Sequence, residues 1–566
     1  MDYDIKITGG TIIDGTGAPG YQGDVGIVEG RIVALGDAPG RAQSVIEAGG
    51  RVVCPGFVDI HTHYDAQIMW DPMLSFSPWH GVTTCVIGNC GFGIAPTRPE
   101  HRGMIMRTLE KVEAMSYEAL DAGIGEWPFE SFPEYLDAIE ARPKAINVGV
   151  LAGHTPIRLY AMGEASIERT ATADETARMR ALVLEAIEAG AVGFSTSQSP
   201  VHVGFMGLPV PSRKADFDEI MTLASALGEA GKGVIQITVG RIPWFDEFAA
   251  LARETGRTVS WTAILTGMEG ADGHRRHLQR SIEIQDAGLP VYPQVACRPL
   301  QSEFQFSSPF SFERMAFFQP VSAADADGKK EIYRDPEFRR AFREAMAPDS
   351  PIGGEIGQLR PSFRAITITG CDTRPELVER SLAEAAAEHG VDPVDLALDL
   401  ALETDLAARF RIPLLNGDED AVEELLRDPH TVIGLSDAGA HTSQMYDTCY
   451  ATHLLGHWVR ERGALSPEYA VWMLTGRTAD VFDITDRGRL ATGLPADVVV
   501  YDPDTVGAGP PRRVHDLPAG ADRLISSAFG IEAVIVNGVA IRRHGEDMVD
   551  ATGKLPGKLL RHGRAA

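Results

Sequence analysis

The stretch Pro55–Asp65, PGFVDIHTHYD, decides the fold. A short apolar run, Phe57–Asp59, leads without helical spacing into His61-Thr-His63. In an extended chain residues i and i+2 project to the same side, so both imidazoles can reach one metal ion. With 16 histidines in the chain, chance alone supplies about half of one such triplet, so spacing by itself is weak evidence. Position adds the weight: a strand ending in metal ligands is what the open mouth of a barrel of parallel strands requires. The plain alternative is a hydrogen-bonded pair of core histidines.

Downstream of this stretch, short β-type runs alternate with helix-period segments, the pattern of parallel βα units. The runs are Phe57–Asp59, Thr83–Gly88, Ile146–Ala152, Ala191–Ser195, Val234–Thr238, Val259–Leu265, Val291–Val295 and Thr431–Leu435. Helical stretches such as Ala173–Ala189, Lys214–Ala230 and Phe245–Glu254 separate several of them. Eight strands predict an α/β fold, a (β/α)8 TIM barrel over 56–485; a doubly wound open sheet would alternate in the same way. Arg298 to about Phe363 breaks the rhythm, being rich in Phe, Ser and Pro with a polar helical run near Glu331–Ala345. It reads as an insertion at 298–363, serving as a lid, a substrate wall or a subunit contact.

Upstream, residues 1–55 alternate β-type runs (Asp4–Thr8, Gly10–Asp14, Val25–Glu29, Arg31–Leu35, Val45–Ala48) with turn residues, which predicts a small antiparallel sheet. Similar runs return at Asp497–Tyr501 and Ile531–Ile541, the latter holding the hairpin signal Val-Asn-Gly-Val. Both termini, 1–55 and 486–545, are therefore expected to build one small β-sandwich domain. Residues 546–566, with Lys554, Lys558, Arg561 and Arg564, read as a solvated basic tail.

Composition excludes several functions. The chain has 566 residues, 44% apolar and 23% charged, enough for a large core and more than one domain. Its formal charge of −27 repels phosphate backbones and anionic membrane surfaces, so neither nucleic acid nor membrane is an expected partner. No stretch approaches a spanning length, and the opening MDYDIKITGG lacks a basic region followed by an apolar one. The six cysteines include no CxxC pair and form no disulfide framework. A cytoplasmic protein acting on a small molecule is expected, with a homo-oligomer left open.

Two further motifs carry chemistry. In Thr83–Pro96, TTCVIGNCGFGIAP, the strand ends in glycines around Cys90, a candidate thiolate ligand whose bland reading is core packing. Cys85, earlier in that strand, reads as core. In Thr431–His441, TVIGLSDAGAH, the last strand delivers Asp437 to the same mouth as His61 and His63. Asp437 can bind metal, accept a proton from water, or cap a helix. His154, after the third strand, His202, after the fourth, and His441 are candidate substrate contacts, with His441 or His154 as a reserve metal ligand. Arg158, Arg213 and Arg298 lie on predicted βα loops, where a guanidinium can clamp a carboxylate.

With these pieces in place, the sequence resembles the amidohydrolase superfamily and, within it, the N-acyl-D-amino-acid deacylase (D-aminoacylase) family. The resemblance rests on GGTIIDGTG, PGFVDIHTHYD, GNCGFGIAP, Gly153-His154 through Arg158, GAVGFSTS, SDAGAH and RGRLATGLPADVVVYDP, in the family's order over about residues 5–545. It implies a metal-dependent barrel with a terminal β-sandwich, a metal site of His61, His63 and Cys90, and Asp437 as ligand and catalytic base. This chain also departs from the family. Metal-binding histidines are expected at the ends of the fifth and sixth strands, near Thr238 and Ala263, and GVIQITVG and VSWTAIL contain none. AVGFSTS lacks the lysine that other branches carbamylate to bridge two metals.

The remaining ligands suit one ion, and imidazole with thiolate favours zinc. The leading expectation is hydrolysis of the amide of an N-acyl amino acid or related small amide, with Asp437 as general base. The alternatives are a different reaction on the same fold, such as elimination or isomerisation, or a catalytically reduced binding or assembly subunit.

Overall fold

The computed structural model describes residues 2–204, 207–240, 243–309, 312, 315–347 and 365–565. The chain divides into two compact units: Met1–Ile264, Arg276–Cys297 and Glu423–Ala566 form the first, and Leu265–Arg275 with Arg298–Val422 form the second.

In the first unit both termini build one β domain. Strands β1 (Tyr3–Ile12), β2 (Tyr21–Val28), β3 (Arg31–Gly36), β4 (Ala42–Glu47) and β5 (Val52–Pro55) join β18 (Val498–Tyr501), β21 (Ile531–Val536), β22 (Val539–Arg543) and β23 (Glu546–Asp547). They form a continuous nine-stranded sheet in the order β23-β22-β21-β18-β5-β1-β2-β3, with β4 beside β1. Its core is β-branched, including Ile7, Ile12, Ile27, Val53, Val498 and Ile535. The sheet is mixed, not purely antiparallel, because β1 pairs in parallel with β4 and β5. The runs Asp4–Thr8 and Gly10–Asp14 also merge into one strand. Gly9, at φ 69°, absorbs a register shift between Ile7 and Gly10 where a turn was expected. The hairpin signal behaves as read: Asn537 and Gly538 both have positive φ, matching the twist of β21 and β22.

The barrel strands follow the chain: β6 (Phe57–Asp59), β7 (Val82–Ile87), β8 (Asn147–Gly153), β9 (Gly193–Ser197), β10 (Val234–Thr238), β11 (Val259–Ile264), β12 (Val291–Val295) and β17 (Val432–Ile433). They neighbour one another in that order, all parallel, which excludes the strand-order reversal of a doubly wound sheet. The ring is closed by a parallel bridge between Thr62 and Ala438. There the His63 N–H donates to the Ala438 carbonyl at 2.7 Å, and Ser436 Oγ donates to the His61 carbonyl at 2.9 Å. Gly439 is required beside this seam, since its φ is 90° and a Cβ would lie 2.7 Å from the His63 carbonyl oxygen. Outer helices begin at side-chain caps, as Thr172 with Glu175 does for Ala173–Ala189 and Asp216 for Phe217–Ala230. A two-stranded antiparallel ribbon, β19 (Gly507–Val514) with β20 (Arg523–Phe529), also belongs to this unit.

The second unit is larger than the insertion expected at 298–363, of which residues 310, 311, 313, 314 and 348–363 lie outside the described residues. It extends to Val422 because its core needs both flanks. Strands β13 (Leu300–Gln305), β14 (Thr367–Gly370), β15 (Arg380–Ser381) and β16 (Arg409–Leu415) form a sheet in the order β13-β16-β14-β15. Phe304, Phe306, Phe312, Phe342 and Phe410 pack together with helices later in the chain. Pro336 splits the expected helix into Ala326–Arg334 and Pro336–Met346, Asp335 capping the second.

The basic tail is also corrected. Leu555, Leu559 and Leu560 are buried, the Val148 N–H donates to the Lys558 carbonyl at 2.9 Å, and Arg561 Nη1 donates to the Ala189 carbonyl at 2.7 Å. The apolar residues set among the charges hold this segment against the barrel. Nearby, Asp497 joins the termini to the barrel as a buried hub. It pairs with Arg487 Nε at 2.6 Å, and it accepts from Asn147 Nδ2 at 2.8 Å and from the Asn537 N–H at 2.6 Å. Removing one partner of a buried pair leaves an uncompensated charge, so Asp497→Ala is expected to cost about 3–5 kcal/mol. A lowered denaturation midpoint checks this, and an unchanged midpoint contradicts it.

Candidate metal centre

The seam that closes the barrel also assembles the site. β6 ends at Asp59, and the extended chain beyond it carries His61 and His63 inward, their ring centroids 5.4 Å apart. After β7, positive φ at Gly88, Cys90 and Gly91 turns the backbone so that the Cys90 thiol faces these rings. Sγ lies 3.3 Å from His61 Nε2 and 4.0 Å from His63 Nε2. From the last strand, Asp437 Oδ1 lies 3.4 Å from His61 Nε2 and 3.9 Å from His63 Nε2. Donors sharing one tetrahedral zinc ion stand about 3.3–3.6 Å apart. The donor set therefore fits a zinc-sized cation, and among the described residues His61, His63 and Cys90 form the one such cluster.

Both rings are oriented from behind. Gln294 Nε2 donates to Ser260 Oγ at 3.1 Å, so its Oε1 accepts from His61 Nδ1 at 2.7 Å. This leaves His61 Nε2 as the free lone pair. Gly434 makes room for the arrangement, as a Cβ there would lie 2.7 Å from Gln294 Oε1. For His63, Glu113 Oε1 lies 3.1 Å from Nδ1, and both atoms are buried with no other hydrogen-bond partner. Glu113 and Gln294 were not anticipated. Glu113 carries no local signal among 79 acidic residues. Gln294 does, as a lone amide in the buried strand VYPQV.

The electrostatics suit a metal-binding thiolate. Burial opposes ionisation of Cys90, but His61 and His63 outweigh it and bring the thiol down to about 7. Burial disfavours the His61 imidazolium, yet the Cys90 thiolate and Asp437 raise its pKa above the ordinary value. Asp59, enclosed beneath the site with Oδ1 accepting from the His61 N–H, is pushed by burial up to about 7. Cys85 is buried core, as expected.

The remaining expected residues divide. His202 sits beside the centre: its ring packs on Phe92 at 5.0 Å, its Nδ1 pairs with Ser197 Oγ at 2.6 Å, and Phe92 also meets His63. Burial, then the charges of His441, His63 and Arg213, lower its pKa to about 3, which places His441 in the same neighbourhood. Arg213 donates to the His202 carbonyl at 3.1 Å. His154 and Arg158 are corrected. β8 ends at Gly153, so both side chains leave from the following helix, where Glu219 takes His154 Nε2 at 2.9 Å and Arg158 Nε at 2.8 Å. Arg158 also donates to the carbonyls of Ser166, Pro211 and Arg169 and is fully buried, so this pair is structural. Arg298 belongs to the second unit, where its carbonyl accepts from Asn416 Nδ2 at 2.9 Å.

The family model described as "Amidohydrolase family" matches residues 44–301 and 356–542, most of the chain and every member of this donor set. The chain belongs to the amidohydrolase family. This amidohydrolase is 30% identical to a D-aminoacylase of Alcaligenes xylosoxydans xylosoxydans, over 95% of this chain and 94% of the relative. Among solved structures, it resembles the N-acyl-D-glutamate deacylase of Bordetella bronchiseptica, complexed with zinc and a phosphonate mimic of the tetrahedral intermediate. That likeness has a TM-score of 0.67 at 28% identity and covers 99% of this chain and 100% of the other. A D-aminoacylase described as having a binuclear metal centre, with one-metal activation and second-metal attenuation, matches with a TM-score of 0.66 at 27% identity over 99% of both chains. The sequence resemblance to the D-aminoacylase family is thus borne out.

Two outcomes follow from this geometry. Glu113→Ala frees the His63 ring and is expected to weaken divalent-ion affinity about 10–100-fold, with Glu113→Gln milder, as read by competition against a chromophoric chelator. Because His202 titrates near 3 when folded and near 6.5 when exposed, only the unfolded chain takes its proton between those values. Stability is therefore lost as pH falls below about 6.5, and His202→Gln is expected to flatten that fall in melting curves.

Proposed function

We propose that this amidohydrolase cleaves the amide of small N-acyl amino acids, the D-isomers in the first place, using one zinc ion held by His61, His63 and Cys90. The observation that carries the reading is the convergence of those three donors with Asp437 Oδ1, 3.4 Å from His61 Nε2, at the mouth of the barrel. The full-length likeness to N-acyl-D-amino-acid deacylases supports the substrate class.

When bound, zinc supplies Lewis acidity toward an amide carbonyl and makes water a stronger acid. The protein supplies the proton path and the positioning. Asp437 is the carboxylate facing this centre from the last strand and remains partly open to solvent. It takes the proton of the attacking water and returns it to the departing nitrogen. Gln294 and Glu113 hold the two imidazoles in place throughout. His202 stays uncharged near neutral pH, so it offers the substrate a neutral hydrogen-bonding edge, with His441 beside it. Among the described residues no helix is long and apolar enough to cross a membrane. The six cysteines are buried thiols held in no disulfide, which supports a reducing cytoplasmic setting.

Incubation with N-acetyl- and N-formyl-D-amino acids is expected to release amine and carboxylate in equal amounts, with the L-isomers slower. Asp437→Asn is expected to retain bound metal while losing about 10²–10⁴-fold in rate. Undiminished hydrolysis by that variant, or by metal-stripped protein, would sink the mechanism.

A further inference from the structure

Cys90 presents a second face, turned toward the fifth and sixth barrel strands. On that face Thr238 Oγ1, at the end of β10, donates to Sγ at 3.2 Å. The hydroxyl is fixed in that role. Gln236 Nε2 donates to Thr238 Oγ1 at 3.2 Å, which occupies the oxygen as acceptor and leaves its hydrogen for the sulfur. The same amide nitrogen reaches Thr262 Oγ1 at 3.1 Å, and Gln236 Oε1 accepts from the Cys90 N–H at 2.8 Å. Thr238 and Thr262 stand opposite each other in the register of β10 and β11. One buried amide therefore ties two strands and the Cys90 turn into a single network.

A thiolate has lone pairs enough to bridge two cations, and bridging requires further ligands on its far side. Here those positions carry hydroxyl and amide groups from Thr238, Thr262 and Gln236, none of them a good zinc ligand. A second ion there would have Cys90 and at most Asp437. We propose that Thr238, held by Gln236, occupies the face of the Cys90 thiolate at which a second cation would bind, confining this centre to one ion. The hydroxyl offsets part of the thiolate charge, as a charge-assisted hydrogen bond does, with no added metal. The inference rests on the one-zinc reading above. It sets this chain apart from the D-aminoacylase described with a binuclear centre, because excess metal has no second site from which to attenuate activity. Thr238 is a positioning residue in this account and touches no substrate.

Counting metal tests the proposal without reference to substrate. The full chain is stripped with a chelator and loaded with increasing equivalents of Co²⁺ or Zn²⁺. Bound ion is measured by elemental analysis, and the sulfur-to-cobalt charge-transfer band by absorbance. The expected result is a plateau at one ion per chain with a sulfur band. T238V, which keeps the shape and removes the hydroxyl, retains one ion and shifts the band to lower energy. T238H, which adds an imidazole on that face, gains a second ion. A plateau at two ions in the natural protein overturns the proposal, as does an unshifted band in T238V or a T238H variant that folds and still binds one. If T238H fails to fold, the natural plateau and the T238V band decide. No bound ion, or an ion without a sulfur band, overturns the underlying metal reading instead and takes the proposal with it, so the two failures are told apart.

Discussion

The structure depends on the hydrogen-bonded seam between the segment after the first barrel strand and the segment after the last. Two bonds, from the His63 N–H to the Ala438 carbonyl and from Ser436 Oγ to the His61 carbonyl, do two jobs at once. They abolish the two sheet edges that an open fold would have to cover. They also set Asp437 against His61 and His63, residues separated by most of the chain. Closure and the geometry of the candidate site thus share one constraint: the barrel cannot shut in another register without moving the carboxylate away from the imidazoles.

Around that seam, polar groups in the barrel interior act in layers. Ser260 orients Gln294, which orients His61; Gln236 orients Thr238, which orients Cys90. The Gln294 and Gln236 amides each have a defined acceptor, so the imidazoles and the thiol at the candidate metal centre are held in place before any ligand arrives. Glu113 extends the layer outward from the barrel, reaching His63 from just beyond the helix Arg102–Val112. The carboxylates nearby differ in exposure and therefore in chemistry. Asp59 is enclosed and its carboxyl titrates far above the usual range, whereas Asp437 remains partly open to solvent, the condition for exchanging protons with substrate and water.

The sequence and structure part company at His154 and Arg158. Their spacing after a barrel strand looked like a substrate contact, yet Glu219, 65 and 61 residues further along the chain, neutralises both behind the barrel wall. A motif of charged residues records that they are needed without recording which face they serve, because one residue of strand length decides between the interior and the helix layer.

The sequence by itself determined the eight parallel strands, the terminal β sheet and the four side chains that converge after strands, His61, His63, Cys90 and Asp437. Each depends on local periodicity, or on a ligand type placed directly after a strand, and those are properties of neighbouring residues. Tertiary structure alone decided the partners that orient them. Glu113, Gln294 and Thr238 meet His63, His61 and Cys90 across 50, 233 and 148 positions, respectively. The extent of the second unit and the docking of the final segment were likewise decided by burial against distant surface. Such pairings are set by the closure of the barrel, where a hydroxyl, an amide or a carboxylate gains its role only from the atom that folding brings within hydrogen-bonding distance.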